Sequence, residues 1–367
     1  MDERYHVLFR NAFQSGSISD EDRRSIWDLY QSEGAEAIEK RIRKRKFVPF
    51  TANVLDQLGF RDVAWGDLRD SYAIRNRMVI EGLQVLFSSF DRFDVDRVVV
   101  VENFGAFLAA NAEPLWRFGS GDVDLYGDIK QKERIYAAAE AVGFQYEERY
   151  FGRSLISTSF HNARLLPEGF YFDIGWFPTA RLKVPFLDYK EEAVDWERTR
   201  FFRNTRIRLP DKESLLYICM LHISVHNFSR QPDIRLYIDI QNAISSGNVD
   251  WEKLMRWAKR DGYTNRIATV AYLSREILDC DIPEKVISLC DVKRRNRLIR
   301  FVYDAQKKVL LAKPGALDSL RIEMLAHDKS DLKGLMEIIF PSAAWLRQTF
   351  GNFLPLAYLR YLLGVVK

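Results

Sequence analysis

The sequence of 367 residues has few cysteines, no long hydrophobic run and no internal repeat. Its three cysteines are widely spaced and include no Cys-x-x-Cys pair, which argues against a disulfide framework and a zinc cluster. Residues 1–13 are charged from the second position, so we expect no signal peptide. The most apolar segment, residues 353–366, is too short for a membrane span and contains Arg360. These absences predict a soluble cytoplasmic protein that does not bind membranes.

The composition is that of a folded protein. Apolar residues make up 47% and charged residues 29%, which argues against an intrinsically disordered chain. A chain of this length predicts two or three structural units. The formal net charge of +4 and the isoelectric point near 8.8 suit a polyanionic ligand such as a nucleotide, but they do not by themselves indicate nucleic-acid binding.

A short acidic motif follows a small-residue turn at residues 117–125, which read Arg-Phe-Gly-Ser-Gly-Asp-Val-Asp-Leu. Residues two apart on a strand point to the same face, so Asp122 and Asp124 can converge on one ion. Magnesium suits such a pair because it binds carboxylates together with substrate phosphates. The turn at residues 119–121 can bring backbone amides close to a phosphate. The motif therefore predicts a site for a metal ion and a nucleotide.

A third carboxylate stands alone in an apolar segment further along the chain. Asp173 is surrounded by aromatic and aliphatic residues in the segment 170–176, which has the pattern of a buried strand. An unpaired charge is costly in such surroundings. We therefore expect a cationic group beside Asp173.

In this order, the small-residue turn, the Asp-x-Asp strand and the later strand aspartate resemble the polymerase-beta-like nucleotidyltransferases. The closer resemblance is to uncharacterised nucleotidyltransferase family 5. It rests on four segments: the arginine and acidic pair in residues 117–125, the Asp-x-x-Trp strand at 173–176, the Leu- and His-rich helix at 215–222, and the Asp-containing helix at 237–240. The likeness covers most of the chain, including the closing segment at residues 341–360.

The resemblance implies transfer of a nucleoside monophosphate from a nucleoside triphosphate to a hydroxyl, with release of pyrophosphate. Asp122 and Asp124 would hold two magnesium or manganese ions, and Asp173 would complete the second metal site and accept the hydroxyl proton. The acceptor would be a small molecule, a sugar or a peptide, as in natural-product modification. The motifs leave open which of ATP, CTP, GTP and UTP is the donor.

The same resemblance assigns phosphate contacts to the turn. Ser120 and the amides of Gly119 and Gly121 would bind the terminal phosphates, and Arg117 would neutralise charge that develops during transfer.

Two positions depart from the family pattern. Aligning the family's Lys-Gly pair on Gly105 places Phe104 where the lysine is expected, although Asn103 could donate a hydrogen bond instead. Gly175 stands two residues after the third aspartate, where the family often has a histidine. These departures keep open a catalytically weak nucleotide-binding or regulatory protein on the same fold.

Polar residues in the later helical segment are candidates for the other side of the cleft. His222 and His226 lie four residues apart on one helix face, where they could bind the nucleotide or serve only as structural histidines. A zinc pair is also conceivable, but the segment lacks the glutamate of a metalloprotease motif and a third ligand. Arg230 and Arg235 could reach phosphates, and Asp239 could orient one of these cations by pairing with it.

The periodicity of the chain predicts strands and helices in the middle and helical regions at both ends, and the order of these elements matches the α+β fold with a small mixed sheet that the resemblance implies. Residues 1–92 form the predicted N-terminal helical region, with a helix starting at Ser19-Asp20. Residues 93–190 form the predicted nucleotidyltransferase core, and residues 191–367 form the C-terminal helical domain. Within the core we predict strands at 96–102, 144–150, 155–160 and 170–176, and helices at 105–112 and 130–142.

Two basic runs raise the alternative of a nucleic-acid-directed transferase. Residues 41–46 and 293–300 are rich in arginine and lysine. No series of stacking aromatic residues accompanies them, so solvated helix faces are the favoured interpretation and nucleic acid is not the expected partner. The oligomeric state stays open.

Overall fold

The computed structural model describes residues 3–13, 18–44, 47–151, 154–177, 194–229, 233–305, 309–311, 315–326, 328, 340 and 343–365. Arg230, residues 45–46 of the first basic run and residues 341–342 of the closing segment lie outside the described residues.

Helices precede the sheet, as the N-terminal pattern predicts. They are α1 (Glu3–Phe13), α2 (Asp20–Glu33), α3 (Ala35–Lys44), α4 (Val48–Gln57) and α5 (Trp65–Arg92). Helix α2 begins where expected, because the hydroxyl of Ser19 accepts a hydrogen bond from the amide of Asp22 at 3.1 Å. Three acidic residues in its first turn complement the positive end of the helix dipole.

The middle of the chain forms a small mixed sheet. Its elements are β1 (Val98–Val100), α6 (Glu102–Ala109), β2 (Asp122–Asp128), α7 (Lys132–Glu140), β3 (Gln145–Phe151), β4 (Ser154–His161) and β5 (Tyr171–Phe177). The strand order is β1-β2-β5-β4-β3, in which β2 and β5 run parallel and the other neighbours run antiparallel. The predicted α+β fold, with a small mixed sheet flanked by helices, is confirmed.

Local patterns explain most of these elements. The three valines of β1 are fully buried, as their β-branched run predicts. Helix α7 buries Ile135, Ala138 and Ala139 on one face, and Gly143 ends the turn that follows with φ of 81°. Helix α6 begins earlier than predicted, directly after β1. Gly105 is needed there, because a side chain would place Cβ 2.8 Å from the carbonyl oxygen of Val100.

Helices and short hairpins complete the chain. They are β6 (Arg200–Phe201), β7 (Arg208–Leu209), α8 (Lys212–Ser229), α9 (Arg235–Ser245), α10 (Trp251–Asp261), α11 (Thr264–Leu278), α12 (Glu284–Ile287), α13 (Val292–Val302), β8 (Tyr303–Asp304), β9 (Val309–Leu310), α14 (Ala316–Ala326), α15 (Ala343–Phe350) and α16 (Leu354–Val365). Within the described ranges, no helix has both the length and the apolar character needed to cross a bilayer.

The hydrophobic core has two large parts. Side chains of α1 to α4 share one cluster with the helices after the sheet, and α5 packs into the other cluster with the sheet and α7. Between these parts, α6 packs against both α8 and α9. This packing places α8 and α9 beside the end of β1 and the start of β2, where the acidic motif lies.

The basic runs make contacts within the fold. Arg43 pairs with Glu39 at 2.6 Å, and Arg41 lies over the ring of Tyr5. Arg294 donates hydrogen bonds to backbone carbonyls near the end of α14, and Arg295 donates to a carbonyl at the end of α12. These contacts favour the structural interpretation over a nucleic-acid surface.

Candidate active site

Strand pairing brings the three predicted aspartates to one face of the sheet. In the parallel pairing of β2 with β5, Asp124 lies opposite Asp173 and Asp122 lies opposite Tyr171. Val123 points the other way into the core, as strand alternation requires. The hydroxyl of Tyr171 lies 3.5 Å from Oδ2 of Asp122. Two segments about fifty residues apart thus supply carboxylates to one surface.

A fourth carboxylate, Glu102, joins this group and was missed in the sequence. Glu102 is the first residue of α6 and has a left-handed backbone with φ of 53°. Such a backbone is uncommon for a residue with a side chain, and it occurs often at functional sites. Nδ1 of His222 on α8 donates to Oε2 of Glu102 at 2.5 Å, and the hydroxyl of Tyr126 donates to Oε1 at 3.4 Å. We call Glu102, Asp122, Asp124 and Asp173 the acidic face.

Negative charge is crowded around Asp124. Burial is the largest influence on this carboxyl and raises its pKa well above the usual range, and Glu102, Asp122 and Asp173 raise it further. Burial also acts to raise the pKa of Glu102, but the charge and hydrogen bond of His222 outweigh it and lower the pKa. In this buried pair, Glu102 therefore holds the negative charge more readily than Asp124 does.

Other donors hold the remaining carboxylates of the acidic face. The hydroxyl of Ser120 donates to Oδ1 of Asp122, and the hydroxyl of Ser159 donates to Oδ1 of Asp173 at 2.9 Å. Nη1 of Arg149 lies 3.9 Å from Oδ2 of Asp173, so a cationic group does lie beside this carboxylate, as its apolar surroundings predicted.

The donor chemistry of the acidic face fits a hard cation. Four carboxylates lie together, and oxygen ligands of this kind suit magnesium. Across the residues that the structure describes, no three His, Cys, Asp or Glu side chains form a preformed metal cage. Magnesium in proteins commonly uses one or two carboxylates and completes its coordination with water and substrate phosphates. The predicted zinc alternative at His222 and His226 gains no support, because no described side chain completes a group of three ligands around this pair.

The turn before β2 is fixed from helix α5. Arg75 and Asn76 both donate to the carbonyl oxygen of Phe118, at 2.8 and 3.0 Å, and Asn76 also donates to that of Leu115. The guanidinium of Arg75 lies over the ring of Tyr72, and burial lowers the pKa of Arg75 to about 10. Sequence reasoning missed Arg75 and Asn76, because their contacts are with residues about forty positions away.

A pocket that is partly open to solvent lies beside the acidic face, and its empty volume of about 370 Å³ includes that open space. Its walls come from residues 117–120, from α6 and α9, and from Phe50, and we call it the loop pocket. Of the predicted residues, it brings together Arg117, Gly119, Ser120, Arg235 and Asp239, and it also includes Asn103.

Charged groups in the loop pocket differ in how they are paired. Burial lowers the pKa of Arg117, and among the described residues no carboxylate or carbonyl accepts a hydrogen bond from its guanidinium. Arg235 forms an ion pair with Asp233 at 2.5 Å. Burial acts against the charged form of Arg235, but Asp233, Asp239 and Asp122 outweigh it and raise the pKa. The influence of Asp122 shows that Arg235 lies within electrostatic reach of the acidic face.

The two departures from the family pattern have different surroundings. Phe104 is fully buried and packs edge-on against Phe118, with ring centroids 4.6 Å apart, so this position belongs to the core of the sheet. Asn103 lines the loop pocket, and its Oδ1 accepts a hydrogen bond from the amide of Phe104. Gly175 lies within β5, opposite Tyr126 on β2.

A family model described as uncharacterised nucleotidyltransferase matches residues 72–279 of this chain. The match begins at Tyr72 and includes the acidic face and the described residues of the loop pocket other than Phe50. Among solved structures, the antibiotic-resistance factor ANT(2'')-Ia has 11% sequence identity with this chain. The alignment covers 51% of this chain and 94% of that protein, with a TM-score of 0.35, and a likeness at that level supports no inference about the site. No curated protein matches.

Proposed function

The chain belongs to a family of uncharacterised nucleotidyltransferases, and from this premise we propose a magnesium-dependent transfer of a nucleoside monophosphate from a nucleoside triphosphate to an acceptor hydroxyl, with release of pyrophosphate. The acceptor class that we propose is a small molecule, a sugar or a peptide. The observation that carries the proposal is the crowding of Asp122, Asp173 and Glu102 around the buried Asp124. The repulsion among these carboxylates falls when a cation binds, and a metal-bound triphosphate brings such a cation.

The acidic face would hold the metal. Asp122 and Asp124 are the proposed ligands, and Asp173 would complete the site. Bound magnesium, or manganese in its place, would neutralise phosphate charge and lower the pKa of the attacking hydroxyl. Ser120 and Ser159 orient carboxylates of this set through the hydrogen bonds described above.

The chain's own groups would bind the triphosphate. The amides of Gly119 and Gly121 would donate to phosphate oxygens, and the hydroxyl of Ser120 would join them by exchanging its hydrogen bond from Asp122 to a phosphate. Arg117 has donors without protein partners among the described residues, and phosphate oxygens would accept from them. Arg235 would add positive charge between the loop pocket and the acidic face.

Asp173 would accept the proton of the acceptor hydroxyl. The hydroxyl oxygen then forms a bond to the α-phosphorus, and the bond between that phosphorus and the oxygen bridging to the β-phosphate breaks. Pyrophosphate leaves with the bonding electrons. Arg149 and Ser159 hold Asp173 in place for this role.

Thermal unfolding with each of the four nucleoside triphosphates, with and without magnesium, tests the proposal. A ligand at about 100 times its dissociation constant stabilises a protein by roughly 2.7 kcal/mol. We expect stabilisation by at least one triphosphate, in the presence of magnesium, in the wild type and much less in Asp124→Asn. The matched control is Asp250→Asn, at the exposed start of α10, which should respond as the wild type does. Equal stabilisation of Asp124→Asn and wild type, or none in either, would contradict the proposal.

A second candidate is a nucleotide-binding protein with little turnover on the same fold. The observation that favours it is Phe104, whose burial leaves no phosphate-binding cation at the position of the family's lysine. Magnesium-dependent release of pyrophosphate separates the two candidates. Triphosphate binding without any release across a panel of acceptor hydroxyl compounds would favour the second.

A further inference from the structure

Asp239 is a buried carboxylate that lines the loop pocket and has no hydrogen-bond or ion-pair partner in the described part of the chain. Its side chain lies on α9, and the residue is only 7% exposed. It is one of the residues that line the loop pocket. Among the described residues no group donates a hydrogen bond to it, and no lysine, arginine or histidine forms an ion pair with it. The sequence predicted that Asp239 could pair with Arg230 or Arg235; Arg230 lies outside the described residues, and Arg235 forms its ion pair with Asp233 while its charge still acts on Asp239.

Such a carboxylate is costly unless something donates to it. Burying a polar group without a hydrogen bond is unfavourable, and burying an unpaired charge is more so. Burial raises the pKa of Asp239 well above the usual range; Arg235 partly offsets this, whereas Glu102 and Asp233 add to it. A ligand with hydrogen-bond donors would remove the cost, because donors stabilise the ionised carboxylate.

The same pocket holds the opposite kind of unpartnered group. The guanidinium N–H groups of Arg117 have no hydrogen-bond acceptor among the described residues. A ligand that satisfies both groups must contain an anionic group for Arg117 and hydrogen-bond donors for Asp239. The two parts must lie no further apart than the length of the pocket. A nucleotide has this combination, since its phosphates accept hydrogen bonds and its ribose hydroxyls donate them.

We propose that Asp239 accepts hydrogen bonds from the ribose hydroxyls of the nucleoside triphosphate, and thereby selects ribonucleotides over deoxyribonucleotides. The proposal rests on the proposed function, which places a triphosphate at this pocket. Two neighbouring hydroxyls match the two oxygens of a carboxylate, and acidic residues bind ribose in this way in dinucleotide-binding folds. The ribose is also the part of a nucleotide next to the phosphates, which agrees with a carboxylate and a phosphate-binding turn in one pocket of modest volume.

Asn242 provides a second polar group in the same place. It lies three residues after Asp239 on α9, so both side chains leave the helix on one face, and it also lines the loop pocket. Its amide can donate to a ribose oxygen whose own hydroxyl donates to Asp239. The pair forms a donor and acceptor set that suits hydroxyl groups.

The test compares calorimetric affinities for the four nucleoside triphosphates with those for their 2′-deoxy and 3′-deoxy counterparts, in magnesium. In the wild type we expect the loss of one hydroxyl to weaken binding by about tenfold or more, because the acceptor is a charged group. In Asp239→Ala the deoxy compounds should bind as well as the ribonucleotide does, to within about twofold. Asp239→Asn keeps one acceptor oxygen and the shape of the side chain, and it should show a reduced preference.

Asp261→Asn is the matched control. Asp261 is also a buried carboxylate, but it pairs with Arg260 and Tyr217 at the end of α10 and does not line the loop pocket. This variant should keep the full preference for ribonucleotides.

Two outcomes would overturn the assignment alone. One is equal binding of ribonucleotides and deoxyribonucleotides by the wild type, a measurement that needs no variant. The other is a variant Asp239→Ala that still discriminates as the wild type does, or that loses only its preference among bases. Absence of binding by every triphosphate would overturn the proposed function together with this assignment, so the two failures are distinguishable.

Discussion

The acidic face and the loop pocket handle buried charge in opposite ways. On the acidic face, Glu102 and Asp173 receive hydrogen bonds from other side chains, and Asp124 lies against Glu102. In the loop pocket, Arg117 and Asp239 have no such partners among the described residues. The protein thus supplies hydrogen bonds to carboxylates of the acidic face, whereas its described residues supply none to these two charged groups of the loop pocket.

Glu102 and Asp239 make the contrast most directly. Both residues are 7% exposed, and they lie close enough for the charge of Glu102 to act on Asp239. His222 lowers the pKa of Glu102, whereas the pKa of Asp239 is raised because burial dominates. Equal burial is therefore accompanied by opposite pKa shifts, because Glu102 receives a hydrogen bond from His222 and Asp239 has no such donor among the described residues.

The largest expected effect comes from changing the centre of the acidic face. Asp124→Asn should lower the rate of pyrophosphate release by at least about a hundredfold. The variant loses a proposed metal ligand, and the metal would stabilise the charge that develops during transfer. Its unfolding midpoint in urea should not fall, since a carboxyl crowded by three others is removed. Asp128→Asn on the same strand is the control and should retain release. Near-wild-type release by folded Asp124→Asn would refute the role of this residue.

The next effect compares the two equally buried carboxyls. Glu102→Gln should reduce the free energy of unfolding by about 1–3 kcal/mol, because it weakens a buried charged hydrogen bond to His222. Asp239→Asn should cost nothing or stabilise the fold, because it removes a carboxyl without a donor. Urea unfolding of both variants measures the difference. Equal losses would show that partners do not distinguish the two sites.

A smaller effect should follow from removing the unpartnered arginine. Arg117→Ala is expected to weaken triphosphate binding by about tenfold, because charged hydrogen bonds to phosphate are lost, while stability changes little. Calorimetric titration with a triphosphate and magnesium measures this. Arg97→Ala, which breaks a pair with Asp128 at 3.0 Å, serves as control and should bind normally. Unchanged affinity in Arg117→Ala would remove this arginine from the phosphate contacts.

The smallest effect is expected at the turn itself. A methyl group at Gly121 would meet no atom within 4 Å, so Gly121→Ala should change the free energy of unfolding by no more than about 0.5 kcal/mol. Gly105→Ala, at the other wall of the site, should cost about 1–3 kcal/mol because its Cβ meets the backbone of β1. Thermal melts of the two variants rank them. The reverse order would contradict the packing of α6 on β1.

The features that follow from local patterns were predicted from the sequence. The strands β3, β4 and β5 lie within one residue of their predicted bounds, and strand alternation places Asp122 and Asp124 on one side. The flanking helices followed from periodicity, whereas the mixed sheet was expected from the family resemblance. The roles assigned to Asp122, Asp124 and Asp173 stay predictions, because their chemistry has yet to be measured.

The features that depend on distant contacts were not predicted. Glu102 joins the site through a left-handed backbone and through a helix that follows it by more than a hundred residues. Arg75 and Asn76 act on a turn about forty positions away. His222 was predicted to line the cleft, but its contact with Glu102 depends on how α8 packs against α6. No periodicity within one segment carries that information. A lone acidic residue directly after the buried valine strand was the only signal for Glu102.

The contact between Glu102 and His222 joins two parts of the chain that are synthesised at different times. The two residues are 120 positions apart, and chains grow by about 5–20 residues per second, so Glu102 precedes its donor by roughly 6 to 24 seconds. During that interval the strand that carries Asp124 can already pair with β1, yet the acidic residues around it lack the imidazole. The charged hydrogen bond that holds Glu102 can therefore form only after α8 has been made, although the strands of the sheet precede that helix in the chain.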